Sequence, residues 1–289
     1  MKLFTMTVAV ASTAFCLTMQ TAFGQLVVTP DGNANDLANS ILGAGITINT
    51  ATYTGAANAV GTFTGGNSTG LGIDTGIILT SGSAVNAVGP NNSTQISTDN
   101  GLGGTAELSG LIGGQATEDA ATLSINFTTA TSGGLFFNYV FGSDEYPEFV
   151  GAFDDVFGFF LDGTAVGNNV ALLPGGSTPV SINTVNSGAN STYFRDNNGN
   201  NVGGSSPINI QYDGLTTVLQ VSVANLSAGT HTIDIGIADA LDDVLDSGVF
   251  IQGGTLSTNP TPTGAPDVSS TFALLGVALS GMAMLRRKK

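Results

Sequence analysis

Apolar and polar residues alternate along this chain in short runs, with a period of two where the pattern is clearest. Leu123-Ser124-Ile125-Asn126-Phe127 sends three apolar side chains to one face, and His231-Thr232-Ile233-Asp234-Ile235-Gly236-Ile237 does the same with three isoleucines. That periodicity belongs to half-buried β-strands. Leu135 to Phe141, Val156 to Leu161, Val180 to Val185, Val218 to Val223 and Gly248 to Gln252 are further expected strands, separated by clusters of Gly, Asn, Asp and Pro that mark turns. Helical spacing is confined to Asn35 to Leu42 and Thr105 to Ile112. There is no repeat of fixed period and no alternation of strands with long helices, which argues against a solenoid or a parallel α/β sheet. The pattern predicts an all-β domain: an antiparallel β-sandwich, jelly-roll-like, with long loops rich in Gly, Asn and Thr.

The two ends follow another logic. Lys2 precedes an apolar stretch from Met6 to Met19, and Ala22-Phe23-Gly24 offers small residues where a signal peptidase reads, so residues 1–24 read as a signal peptide cleaved before Gln25. The competing reading is an uncleaved anchor, which the shortness of the run disfavours. Residues 257–265 form a Pro/Thr linker between the body, residues 25–256, and a C-terminal segment, residues 266–289. In that segment Phe272 to Leu285 is apolar and Arg286-Arg287-Lys288-Lys289 closes the chain. Fourteen helical residues span roughly 21 Å, a marginal membrane helix whose basic end stays on the cytoplasmic side.

The order of Ala265-Pro266-Asp267, Ser270-Thr271, apolar helix and basic cluster resembles the PEP-CTERM and VPDSG-CTERM sorting signals of bacteria. That resemblance implies an exosortase-like transpeptidase as a partner; a plain membrane anchor is the alternative. Within the body, Phe137 to Val150 (FNYVFGSDEYPEFV), Asp154 to Leu161, Ala171 to Gly175, Val180 to Asn186, Tyr212-Asp213-Gly214, Ile237 to Ala240, Asp246 to Ile251 and Gly76 to Gly82 resemble the choice-of-anchor L domain. This similarity implies an extracellular β domain on an anchored protein and brings no established biochemical activity with it.

Charge narrows the partners. Between residues 25 and 265 there are 20 Asp and Glu against one cation, Arg195, a net of about −19. Such a surface repels nucleic acid and anionic lipid and invites hard cations, of which Ca²⁺ is the common one outside cells. Asp144, Glu145, Glu148, Asp154 and Asp155 lie within twelve residues, and Asp239, Asp242, Asp243 and Asp246 form a second run after the triple-isoleucine strand. The second run could complete the same site as the first or make another. Asp144, Glu145, Asp154, Asp155, Asp239, Asp242, Asp243 and Asp246 are therefore the candidate Ca²⁺ ligands, against the alternative of solvated acidic loops; neither spacing is that of an EF-hand. Asp196-Asn197-Asn198-Gly199-Asn200 reads as a turn, and Arg195 is expected to pair with a carboxylate.

Nucleophilic chemistry has few players. Cys16, the single cysteine, lies in the cleaved segment. Gly66-Asn67-Ser68-Thr69-Gly70 fits Gly-x-Ser-x-Gly but continues into Leu-Gly-Ile-Asp-Thr-Gly where a nucleophile elbow needs a helix. His231 is the sole histidine and reads as a structural residue on its strand. The expected function is a non-enzymatic surface or extracellular-matrix protein, anchored at the bacterial envelope, that contacts polysaccharide or another surface protein. The rivals are a secreted carbohydrate-active hydrolase using paired carboxylates, with Glu145 and Asp154 as its test positions, and a structural envelope-layer protein.

Overall fold

The computed structural model of the protein describes residues 24–198 and 207–263. In chain order its elements are β1 (Val27–Pro30), α1 (Ala34–Ile41), β2 (Ile46–Thr54), β3 (Val60–Thr64), α2 (Gly66–Thr69), β4 (Gly76–Thr80), α3 (Ala106–Leu111), β5 (Thr117–Thr129), β6 (Gly133–Ser143), β7 (Val156–Leu161), β8 (Phe194–Asp196), β9 (Gly214–Thr216), β10 (Leu219–Leu226), β11 (Gly229–Ala240) and β12 (Ser247–Gln252). The strands form two antiparallel sheets. One runs β1-β3-β4-β12-β6-β9-β8, with β10 also paired to β6, and the other runs β2-β5-β11-β7.

The alternating strands close face to face because each turns one apolar row inward. Ile77 and Leu79, Phe137, Tyr139 and Phe141, and Val249 and Ile251 come from the first sheet. Leu123, Ile125 and Phe127, Phe157 and Phe159, and Ile233, Ile235 and Ile237 meet them from the second. Aromatic contacts cross between the sheets: Phe137 meets Phe159 with ring centres 4.9 Å apart, and Phe141 stacks on Phe157 at 4.7 Å. The outer row of the first sheet, including Ile78, Val140 and Phe250, is covered by loops that carry Leu71, Ile210 and Tyr212. The short α3 lays Leu108 on the outer side of the second sheet, against Val156, Phe160 and Ala238.

Both expected helices are present within a residue of their predicted bounds, and each has a side-chain cap. Asn33 accepts from the Asn35 N–H, and Thr105 accepts from the Leu108 N–H. Val180 to Val185, expected as a strand, is a series of turns. Its side chains explain why: Thr184 Oγ1 accepts from the Ser181 N–H and donates to the Pro179 carbonyl, while Asn186 Nδ2 donates to the Ile182 carbonyl. These local bonds replace a ladder, while Val180, Ile182 and Val185 remain buried. Past Leu256 the chain stays attached, since Ser257 and Phe136 exchange two backbone bonds of 2.9 Å. No helix among the described residues is long and apolar enough to cross a membrane. The predicted signal peptide, but for its last residue, and the C-terminal segment lie outside the described residues.

Candidate functional site

The inward rows leave hydrocarbon at one end of the sandwich. Continuing each by one step of the period reaches Ser81 after Leu79, Ser143 after Phe141, Ser247 before Val249, Asp155 before Phe157 and Asp239 after Ile237, all fully buried. Register brings them together: Ser247 pairs with Ser143, and Ala238 pairs with Val156. The core therefore ends in a polar layer containing two carboxylates. Asp155 ties the sheets there, its Oδ1 accepting from the Ala240 N–H at 3.1 Å and its Oδ2 from the Ser247 hydroxyl at 2.7 Å.

A second group of carboxylates lies at the same end, in the outer phase of the first sheet. Asp246 accepts from the Thr98 N–H at 2.9 Å and packs on Gly82, where any Cβ would collide with its carboxylate. Asp144 accepts from the Asp213 N–H at 3.2 Å and donates its own N–H to the Asp246 carbonyl. Asp213 accepts from Asn91 Nδ2 at 2.5 Å. Buried Asn197 pins the incoming chain by donating to the Ile210 and Tyr212 carbonyls and accepting from the Ile208 N–H. Leu241 and Leu245 bracket the connection from β11 to β12 with φ of 77° and 68°, a left-handed conformation costly for leucine.

Within this assembly the carboxylates divide into two kinds. Asp119, Asp155 and Asp246 each have both oxygens engaged by protein donors. Asp144 Oδ2, Glu145 Oε2, Asp213 Oδ2 and both oxygens of Asp239 are buried without a hydrogen-bond partner. Ser81 eases the charge of Asp239 from outside hydrogen-bonding geometry. Burial followed by mutual repulsion raises the whole group. Glu145 is pushed up to about 9 by burial and then by Asp155 and Asp242, and Asp155 to about 8, chiefly by burial. Burial also takes Asp213 to about 7 and Asp246 to about 6, and holds Asp144 and Asp239 well above the usual carboxylate range.

Of the eight sequence candidates, Asp144, Glu145, Asp155, Asp239 and Asp246 meet at this end, and half-buried Asp242 lies close enough for its charge to raise Glu145 and Asp155. Asp154 instead accepts from the Asn183 N–H, and exposed Asp243 lines a cleft of about 290 Å³ with Asp99, Leu102, Glu118 and Asp119. Sequence reasoning missed Asp119 and Asp213 as members. Asp213 was visible only within Tyr212-Asp213-Gly214, and Asp119 follows Glu118 with no pattern to mark it. Among the described residues no three carboxylates already stand close enough to hold a metal ion by themselves.

The cation expected to balance these acids does not. Arg195 donates to the carbonyls of Thr216, Gly70 and Leu71 at 2.8 to 3.0 Å, not to a carboxylate. It sits between β9 and the turn after α2, where carbonyls are the acceptors within reach, and burial lowers it to about 10. Ser68 donates to the Gly65 carbonyl, and His231 bonds Asp162 at 2.7 Å and the Ser227 carbonyl at 2.9 Å. Both side chains thus serve local structure.

A family model for the choice-of-anchor L domain matches residues 27–257, the span of both sheets, and one for the VPDSG-CTERM motif matches residues 266–289. No curated protein and no solved structure matches the chain. The matched motif settles which variant of sorting signal the C-terminal segment carries and places the sandwich outside the cytoplasmic membrane. The chain belongs to the choice-of-anchor L domain family, as an exported, envelope-anchored surface protein.

Proposed function

We propose that this protein is a non-enzymatic contact module, holding its β-sandwich at the cell surface so that the acidic end meets extracellular polysaccharide or another surface protein. The observation that carries this reading is the cleft that exposed Asp99 and Asp243 and half-buried Glu118 line beside the buried carboxylates, on a domain whose one described Lys or Arg, Arg195, is spent on backbone carbonyls. The side chains that would attract a nucleophilic mechanism, Ser68 and His231, are committed to structural bonds, which supports contact over chemistry. Processing at the C-terminal motif by an exosortase-like enzyme supplies the anchoring step of the same reading.

The test compares attachment of cells expressing the full chain with attachment of cells lacking it, on surfaces coated with extracellular polysaccharide. Attachment is expected to fall in the deletion strain and return with the wild-type gene. Release of reducing sugars from any polysaccharide by the purified full chain, lost on Glu145→Gln, would favour the hydrolase instead.

A further inference from the structure

The polar layer has one feature that stability alone does not explain. Asp239 continues the row of Ile233, Ile235 and Ile237 into the core, and neither of its oxygens finds a donor. A buried carboxylate in that condition costs free energy whether charged or protonated. Glu145, in the turn leaving β6, brings a second buried oxygen without a partner; its N–H bonds the Ser143 hydroxyl, Ser143 pairs with Ser247, and Ser247 donates to Asp155, which also accepts from the Ala240 N–H next to Asp239. Half-buried Asp242 adds its charge to Glu145 and Asp155. No described Lys or Arg relieves the repulsion. Unused oxygens on two buried carboxylates that flank one fully bonded acid suit a hard cation that takes the rest of its shell from backbone carbonyls and water.

We propose that the inner polar layer binds Ca²⁺, with Asp239 and Glu145 as its anionic ligands and backbone carbonyls and water completing the shell. The ion would tie the end of β11 to the chain leaving β6, fastening the two sheets at the end that the contact reading presents. The proposal deepens that reading and rests on it only for the extracellular supply of calcium. The cleft lined by Asp119 lies beside the layer, since Asp119 is among the carboxylates whose charge Asp239 feels, and offers an acidic approach for the ion. Ca²⁺ fits better than Mg²⁺ because it accepts irregular geometry and six to eight oxygens.

The experiment is thermal melting of the full chain, purified in detergent, with chelator or with 10 mM CaCl₂, on wild type, Asp239→Asn and Asp144→Asn. Wild type is expected to rise by about 3–10 °C, as for a ligand at roughly ten to a hundred times its Kd. Asp239→Asn should lose that rise while melting in chelator no lower than wild type, and Asp144→Asn should keep most of it. No rise in wild type, or an equal rise in NaCl of matched ionic strength, overturns the proposal. So does a response kept by Asp239→Asn and lost by Asp144→Asn, which would move the ion outside the first sheet. Should Asp239→Asn fail to fold, displacement of Tb³⁺ from the wild-type chain by Ca²⁺, followed by tyrosine-sensitised emission, decides it: no displaceable emission means no site. Calcium binding by a chain whose deletion leaves attachment unchanged would keep the ion and remove the contact reading, and chain-dependent attachment without calcium binding would do the reverse.

Discussion

At the scale of single residues, the carboxylates of the acidic end differ in sign. Asp155 accepts from a backbone N–H and a hydroxyl, so Asp155→Ala leaves the Ala240 N–H and the Ser247 hydroxyl without their acceptor and should destabilise the protein by about 1–3 kcal/mol. Asp239 has no hydrogen-bonded donor to lose, only the looser approach of the Ser81 hydroxyl. In chelator, Asp239→Asn removes a buried, repelled acid and should stabilise by about 1–3 kcal/mol. Urea unfolding of the two variants beside wild type checks the pair, and equal destabilisation by both would show that Asp239 is bonded after all. The sequence held a sign of this. Both residues fall in the inward phase of their strands, and an aspartate in phase with three isoleucines contradicts burial unless something pairs it. The two acidic runs were visible as clusters, but which members face the core depends on where each strand ends. That is why Asp154, one residue from Asp155, turns to Asn183 instead.

At the scale of elements, β5 and β11 were legible from alternation, and β6, β7 and β12 from short apolar runs that are buried on nearly every residue. β2 was not expected as a strand, because a register shift between Ile48 and Thr50 breaks its period of two. Val180 to Val185 alternates, yet its Ser, Thr and Asn side chains bond the nearby backbone and fold it into turns. One element joint makes a pH prediction. The Asp162 carboxylate, just after β7, accepts from the Thr232 N–H and pairs with His231 at the start of β11. Burial alone would lower the His231 pKa, but the bonds from Asp162 and the Ser227 carbonyl, with the Asp162 charge, outweigh it and raise the value above 6.5. A raised histidine stabilises fully below its unfolded pKa and loses that contribution as pH rises through the folded value. The melting advantage of wild type over His231→Gln should therefore be largest near pH 5.5 and shrink toward pH 8.5. An advantage that grows over that interval would refute the pairing.

For the whole molecule, sorting and stability separate. Deleting residues 266–289 removes the matched motif and leaves the matched domain intact, so the truncated chain should appear in the medium instead of the envelope fraction on immunoblotting. The acidic end sets how the released domain responds to pH. Glu145 near 9, Asp155 near 8, Asp213 near 7 and Asp246 near 6 all lie above the ordinary carboxylate value because burial and then mutual repulsion disfavour their charged forms. Between about pH 4 and pH 9 the folded protein thus holds more protons than the unfolded chain, and the slope of unfolding free energy against pH is negative. In chelator the domain should melt highest at mildly acidic pH and lose stability steadily toward pH 9, the reverse of a protein whose carboxylates are salt-bridged. Calcium supplies at neutral pH the positive charge that protons supply in acid, so adding it should flatten the loss, and more so at pH 8 than at pH 5. Melting curves at those two pH values, with and without calcium, make the comparison, and a calcium effect larger at pH 5 would contradict a site built from these carboxylates.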